Sequence, residues 1–145
     1  MILKLRIECV RGWYFEEPCI RVIEIDENMD LLDLHEAIQD AINFGRDHPF
    51  EFYLANSSSP WAQKHRLTEN EDWRYIESDF AETRLKDLYP LGRKKIYYLF
   101  DFGDHWTFEI RKARGVKKPE ADVQYPRVVE AIGPAPEQYP IWDDS

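Results

Sequence analysis

Two aromatic-rich runs near residue 100 constrain this chain more than any other feature. Ile96, Tyr98, Phe100 and Phe102 recur at every second position of Lys95–Phe102, and Trp106, Phe108 and Ile110 do so in Trp106–Lys112. A period of two places these side chains on one face of a strand. With Gly103 and Asp104 between them, the runs predict a β-hairpin whose shared apolar face must be covered. A two-residue turn at Gly103-Asp104 would set Phe100 opposite Thr107 and mix the faces. A three-residue loop, Gly103-Asp104-His105, sets Phe102 opposite Trp106 and Phe100 opposite Phe108, and is the expected register. It brings Lys94 near Arg114 and Lys95 near Ala113. Arg93, Lys94, Lys95, Arg111, Lys112, Arg114, Lys117 and Lys118 then gather at the open end of the hairpin.

A single hairpin cannot bury such a face, and the chain supplies the missing partners. Ile2–Val10 alternates Leu3, Leu5, Ile7 and Cys9 against Lys4, Arg6 and Glu8, the pattern of a half-buried strand. Cys19–Asp26 is a second strand, rich in Val and Ile. Asp30–Phe44 carries Leu31, Leu34, Ala37, Ile38, Ala41 and Ile42 at the three-and-four spacing of a core-facing helix. Asp30 is its expected N-cap and Gly45 its terminator. His48–Ala55 reads as a third strand, with Phe50, Phe52 and Leu54 on one face. Asn56–Ala81 is a long excursion, and Arg84–Tyr89 a short helix capped by Thr83. From Lys118 onward five prolines and Gly133 predict irregular chain lying on the surface.

The expected fold is therefore α+β: an antiparallel sheet of about five strands, one main helix packed on it, and a long irregular C-terminal tail. Residues 1–118 form the domain and 119–145 a Pro-rich tail packed on it. The chain's 145 residues suit one such unit, and 14% aromatic content excludes a disordered chain. No apolar run is long enough to cross a bilayer, and the alternating N-terminus lacks the apolar core of a signal peptide. Those features predict a cytoplasmic protein without a membrane partner.

Charge narrows the partners. The net charge is -9, with residues 1–82 carrying 18 acids against 8 bases and residues 84–118 carrying 10 bases against 4 acids. The acidic whole argues against nucleic acid as a general partner, since phosphate binding needs a positive surface. The local basic patch of Lys94, Lys95, Arg111, Lys112 and Arg114 still has three uses. It would bind nucleic acid, with Tyr97 stacking a base; it would bind an acidic partner; or it would dock the chain's own acidic Glu69–Glu82.

Several side chains are candidates for chemistry. Asp101, Asp104 and His105 fall at the hairpin tip, where two carboxylates and an imidazole would take a divalent cation or act as acid and base. The competing reading is local: Asp caps turn amides and Gly103 supplies the left-handed position. His35 lies beside the helix's apolar stripe, and His48 opens the third strand. The two could meet at the helix–strand junction and, with Asp101 or Asp104, ligate a metal. No His-x-x-x-His or Cys-x-x-Cys pattern assigns one, so no cofactor is identified beyond that divalent metal. Cys9 and Cys19 match no redox motif and read as reduced, buried thiols of one hairpin. Trp61, Trp73, Tyr139 and Trp142 read as anchors of irregular chain or as an exposed interaction patch. Asp101-Phe102-Gly103 is no kinase triplet, because the chain lacks a kinase's length and Gly-rich loop.

The same residues resemble a family. Asp30-Leu31-Leu32-Asp33-Leu34-His35 is similar to its helix-opening leucine-histidine motif. Phe44–Phe52, with His48 and Phe50, is similar to its His-x-x-phenylalanine stretch. Tyr98–Trp106 resembles its most distinctive signature, in which Asp-Phe-Gly-Asp-x-Trp follows two tyrosines. Tyr125-Pro126-Arg127 and Gly133-Pro134-Ala135-Pro136-Glu137 resemble its closing region. This is the Ri-plasmid ORF-three-like family, whose members resemble passengers of plasmids and mobile elements or domains fused to other modules. The resemblance implies an α+β fold with an antiparallel sheet and no particular reaction. Phe108 stands where many members have histidine, Val128 where cysteine is common, and the closing Gly-Gly is absent. A metal or nucleophile site built on those positions would be incomplete here.

These readings converge on a non-enzymatic binding or adaptor module with a protein or small-molecule partner. Its groove would lie between the helix near His35 and His48 and the Asp101–Trp106 loop. The alternatives are a metal-dependent hydrolase using Asp101, Asp104, His35 and His48, and a nucleic-acid accessory protein using the basic hairpin end.

Overall fold

The computed structural model describes residues 1–12, 18–42, 50–59, 61–66, 83–89, 91, 94–100 and 106–134. Their elements run in chain order as β1 (Ile2–Arg11), β2 (Ile20–Asp26), α1 (Leu31–Ile42), β3 (Phe50–Ala55), β4 (His65–Arg66), β5 (Lys95–Phe100), β6 (Trp106–Lys112) and β7 (Arg127–Ile132). Six strands of six residues or more make one sheet, with the two-residue β4 added at one edge, in the order β4-β3-β5-β6-β1-β2-β7. Every pairing is antiparallel. The architecture is α+β, as expected, with one strand more than the expected five.

The additional strand lies in the expected tail. Val128-Val129-Glu130-Ala131-Ile132 pairs with β2, although prolines flank it in sequence. Its docking is tertiary. Arg21, 7% exposed, donates from Nη1 to the carbonyls of Ile20, Ile132 and Gly133. Gly133 adopts φ +77°, and a Cβ there would lie 1.9 Å from the Pro18 carbonyl oxygen. Only glycine closes this strand end so tightly.

α1 covers one face of the sheet. Leu31, Leu34, Ala37, Ile38 and Ile42 pack with Leu3, Leu5, Ile7, Ile23, Ile25, Phe52, Ile96, Tyr98, Phe100, Trp106, Phe108 and Ile110 in one core. Asp30 caps the helix as expected: its Oδ1 accepts from the Asp33 amide at 2.8 Å, while Asp33 Oδ2 accepts from the Asp30 amide at 3.1 Å. Two orphan donors are satisfied reciprocally. Gly45 lies outside the described residues. The expected helix at Arg84–Tyr89 is a three-residue 3-10 turn, Leu85–Asp87, with Arg84 rather than Thr83 at the capping position.

The β5–β6 register differs from expectation. Phe100 faces Trp106, Tyr98 faces Phe108 and Ile96 faces Ile110. The shift is two residues, so each side chain keeps its face. Periodicity fixes the face but not the register. The register instead follows rows of side chains that run across several strands. One row joins Phe52, Tyr98, Phe108 and Cys9, and the next joins Leu54, Ile96, Ile110 and Ile7. Cys9 and Cys19 lie side by side, with the Cys9 amide donating to the Cys19 carbonyl at 3.0 Å, and both thiols are free and buried. Among the described residues no helix is long and apolar enough to cross a membrane.

Candidate functional site

The open end of the β5–β6 hairpin carries a cavity. A pocket of about 780 Å³ is lined by Tyr89, Leu91, Lys94, Lys95, Ile110, Arg111, Lys112, Ala113 and Arg114. All five residues of the basic patch read from the sequence line it. The route to that cluster differs from the expected one. Continuing the observed register places Lys95 across from Arg111 rather than Ala113, and Lys94 across from Lys112 rather than Arg114.

Strand alternation distributes the cations around the end of the sheet. Lys112 stands opposite Leu5 and shares the helix-side face with Ile110, whereas Arg111 points to the other face. On that other face like charges stand opposite each other, Arg6 to Arg111 and Glu8 to Glu109. Direct like-charge pairs destabilise a sheet, and each arginine relieves this by reaching along its own strand. Arg6 Nη1 meets Glu8 Oε1 at 2.8 Å, and Arg111 Nε donates to Glu109 Oε1. Glu109 also lies 3.9 Å from Lys95 Nζ and accepts from the Tyr97 hydroxyl at 3.4 Å. The Glu109 hydrogen bond raises the Arg111 pKa further above its ordinary value. Burial pushes the Tyr97 phenol up to about 12, and Glu109 adds to the rise.

The remaining cations have different surroundings. Lys112 Nζ donates to the carbonyls of Ala113 and Gly115 at 3.2 and 3.3 Å and stands 5.9 Å from the centroid of the Tyr89 ring. That distance lies within cation–π range. Lys94 and Arg114 are exposed. Among the described residues, Lys94, Lys112 and Arg114 form no ion pair with a carboxylate. The acidic Glu69–Glu82 segment lies outside the described residues except in sequence.

The second predicted region centres on His35. Its ring is 5% exposed and stacks on Phe50 with centroids 3.7 Å apart. His35 Nδ1 meets the Tyr98 hydroxyl at 2.6 Å, and Gln39 Nε2 donates to the same oxygen at 2.9 Å. The arrangement that gives each group a role has the Tyr98 proton donated to Nδ1, with the His35 proton on Nε2. Trp106 is fully buried in the core beside this cluster. His48, Asp101, Asp104 and His105 lie outside the described residues. Among the described residues no group of three or more His, Cys, Asp or Glu side chains is placed to hold a metal ion.

Two features escaped the sequence reading. Glu24, 3% exposed on β2, is gripped by Lys117 Nζ at 2.6 Å and Arg127 Nη2 at 2.7 Å. A lone acid in an apolar strand was the available signal. Trp61, expected as an anchor or as part of an exposed patch, is 92% exposed. Trp73, Tyr139 and Trp142 lie outside the described residues.

Comparison with known proteins agrees with the motif reading. The family model described as plasmid pRiA4b ORF-3-like protein matches residues 2–138. The uncharacterized protein y4hQ of Sinorhizobium fredii (strain NBRC 101917 / NGR234) is 27% identical over 122 residues. That match covers 83% of this chain but 58% of the relative, so the chain spans little more than half of the relative's length. The crystal structure of a protein of unknown function, MM3350 from Methanosarcina mazei Go1, is similar in fold, with a TM-score of 0.66 and 24% identity. The likeness covers 92% of this chain and 70% of that one. With the Asp-Phe-Gly-Asp-x-Trp run, the closing Tyr-Pro region and the helix-opening motif all inside the matched span, the chain belongs to the plasmid pRiA4b ORF-3-like family.

Proposed function

We propose that this chain is a non-enzymatic binding module that captures an anionic partner in the basic pocket at the open end of the β5–β6 hairpin. The observation that carries the reading is the convergence of Lys94, Lys95, Arg111, Lys112 and Arg114 on one cavity of about 780 Å³. Ligand pockets commonly span roughly 300–1,000 Å³. Lys94, Lys112 and Arg114, which form no ion pair among the described residues, repel one another, and a bound anion relieves that repulsion as well as forming charge-assisted hydrogen bonds. His35, whose Nδ1 is engaged by Tyr98 and whose ring is packed against Phe50, fits a structural role in the core.

The test is thermal unfolding against a panel of phosphate-, sulfate- and carboxylate-bearing compounds. A ligand that binds only the folded state raises the unfolding temperature. Stabilisation by at least one class of anion is expected, and it should be lost in Lys94→Glu and Arg114→Glu. A panel that leaves wild-type unfolding unchanged removes the reading.

A further inference from the structure

We propose that the basic pocket takes a compact, multiply charged phosphate ester on a flat apolar body, of nucleoside-diphosphate size, and not a nucleic-acid strand. The proposal rests on the pocket being the binding site, as argued above, and adds the class of ligand.

Charge count gives the first argument. Lys95 and Arg111 share one carboxylate, Glu109, while Lys94, Lys112 and Arg114 form no ion pair among the described residues. With Lys95 and Arg111 drawn to Glu109 on the face away from Lys112, the pocket keeps a surplus of three positive charges, on Lys94, Lys112 and Arg114. A single carboxylate offers too little charge to answer that surplus, whereas a diphosphate offers several charged oxygens in a small volume. The Arg114 guanidinium presents a planar fork that fits phosphate oxygens, and each lysine supplies a point charge with three donors.

The wall gives the second. Tyr89, Leu91 and Ile110 form an apolar side to the same cavity. Tyr89 and Leu91 are half-buried, so part of each surface remains available. A bare inorganic anion would leave that wall wet, whereas a ring attached to the phosphate would cover it.

The size of the positive region gives the third. Residues 84–118 carry a surplus of six positive charges, but residues 1–82 carry a surplus of ten negative ones. A ligand contained in the pocket feels only the local field, because salt screens charges beyond about 8–10 Å. A polymer longer than the pocket outruns this local cluster and meets a chain whose net charge is -9, which does not favour phosphate binding along its length.

Titration calorimetry on the full chain in low salt separates the outcomes. The probes are adenosine 5′-diphosphate, adenosine, inorganic pyrophosphate, an oligoglutamate peptide and a mixed-sequence DNA single strand of roughly 20 nucleotides, longer than one binding fold covers. Adenosine diphosphate should bind more tightly than pyrophosphate, and adenosine alone should not bind. Arg114→Glu and Lys94→Glu should each weaken the diphosphate by roughly tenfold or more. Both positions are exposed, and circular dichroism checks that each variant folds. Pocket-dependent binding of the DNA strand or the peptide, tighter than the diphosphate, overturns the ligand class while keeping the pocket as the site. Pyrophosphate binding as tightly as the diphosphate overturns the apolar body. Binding unchanged in both variants, or no binding by any probe, overturns the class and the site together.

Discussion

Gly12 lies flat against the indole of Trp106. A Cβ built on Gly12 would stand 2.3 Å from Cε3 and 2.6 Å from Cζ3 of that ring. Trp106 is fully buried and cannot swing away, so the backbone approaches the ring only because residue 12 has no side chain. The approach follows the register shift that β1 takes between Cys9 and Arg11 against β6. Gly12→Ala should destabilise the fold by about 1–3 kcal/mol, the usual range for overpacking. Urea denaturation measures this, and the penalty should shrink when Gly12→Ala is made in a Trp106→Phe background. Equal penalties in both backgrounds would mean that the clash is relieved by another route.

The His35–Tyr98–Gln39 cluster makes a second prediction. Tyr98→Phe keeps the ring in the core but removes the oxygen that meets His35 Nδ1 and accepts from Gln39. Two buried polar groups lose that hydrogen bond, which costs about 1–3 kcal/mol. Equilibrium unfolding should show the loss with an unchanged denaturant slope. The Gln39→Ala and Tyr98→Phe penalties should sum to more than the double variant loses, because both remove one shared contact.

Acid should loosen the sheet at β2 and β7. Lys117 and then Arg127 hold the Glu24 carboxyl below its ordinary value of 4.5, against burial that pushes it up. A carboxyl with a depressed folded pKa contributes stability that is complete above its unfolded value and is lost as pH falls through the folded one. Stability should therefore decline below about pH 4.5, with amide exchange rising first in Arg127–Ile132. Glu24→Gln should lower stability at neutral pH and flatten the acid limb. An acid limb as steep as the wild type's would show that other carboxyls carry it.

Alkali should act through different groups. Burial pushes the Cys9 thiol up from 9.0 to about 12, with Cys19 adding to the rise, and burial raises the Tyr89 phenol to about 12. These groups hold their protons more tightly when folded. Their stabilisation is complete below the unfolded values and is lost as pH rises through the folded ones. Unfolding midpoints should fall from about pH 9 toward pH 12. Cys9→Ala should remove part of that slope, and a slope identical to wild type would assign it to Cys19 and the phenols.

Much of this fold could be read from residues alone because strand and helix periods are local. Alternation in Ile2–Val10 and Lys95–Phe100 assigned each side chain its face, and the face assignments hold in the structure. Asp30 was readable as a cap because its partner, Asp33, lies one helical turn away. The gathering of Lys94, Lys95, Arg111, Lys112 and Arg114 was readable because any hairpin with face-consistent pairing brings those strand ends together.

Tertiary structure decided the rest. The β5–β6 register depends on rows that run through β3 and β1, far away in sequence, and a two-residue shift leaves the local pattern unchanged. β7 is held at the sheet edge by Arg21 and Glu24, which reach Ile132, Gly133 and Arg127 from β2, contacts that local spacing does not announce. The apolar wall of the basic pocket comes from Tyr89 and Leu91, which no periodicity links to β6. Local spacing therefore determined which side chains share a face. Only long-range packing determined which neighbours those faces meet, because periodicity carries no information about contacts across distant segments.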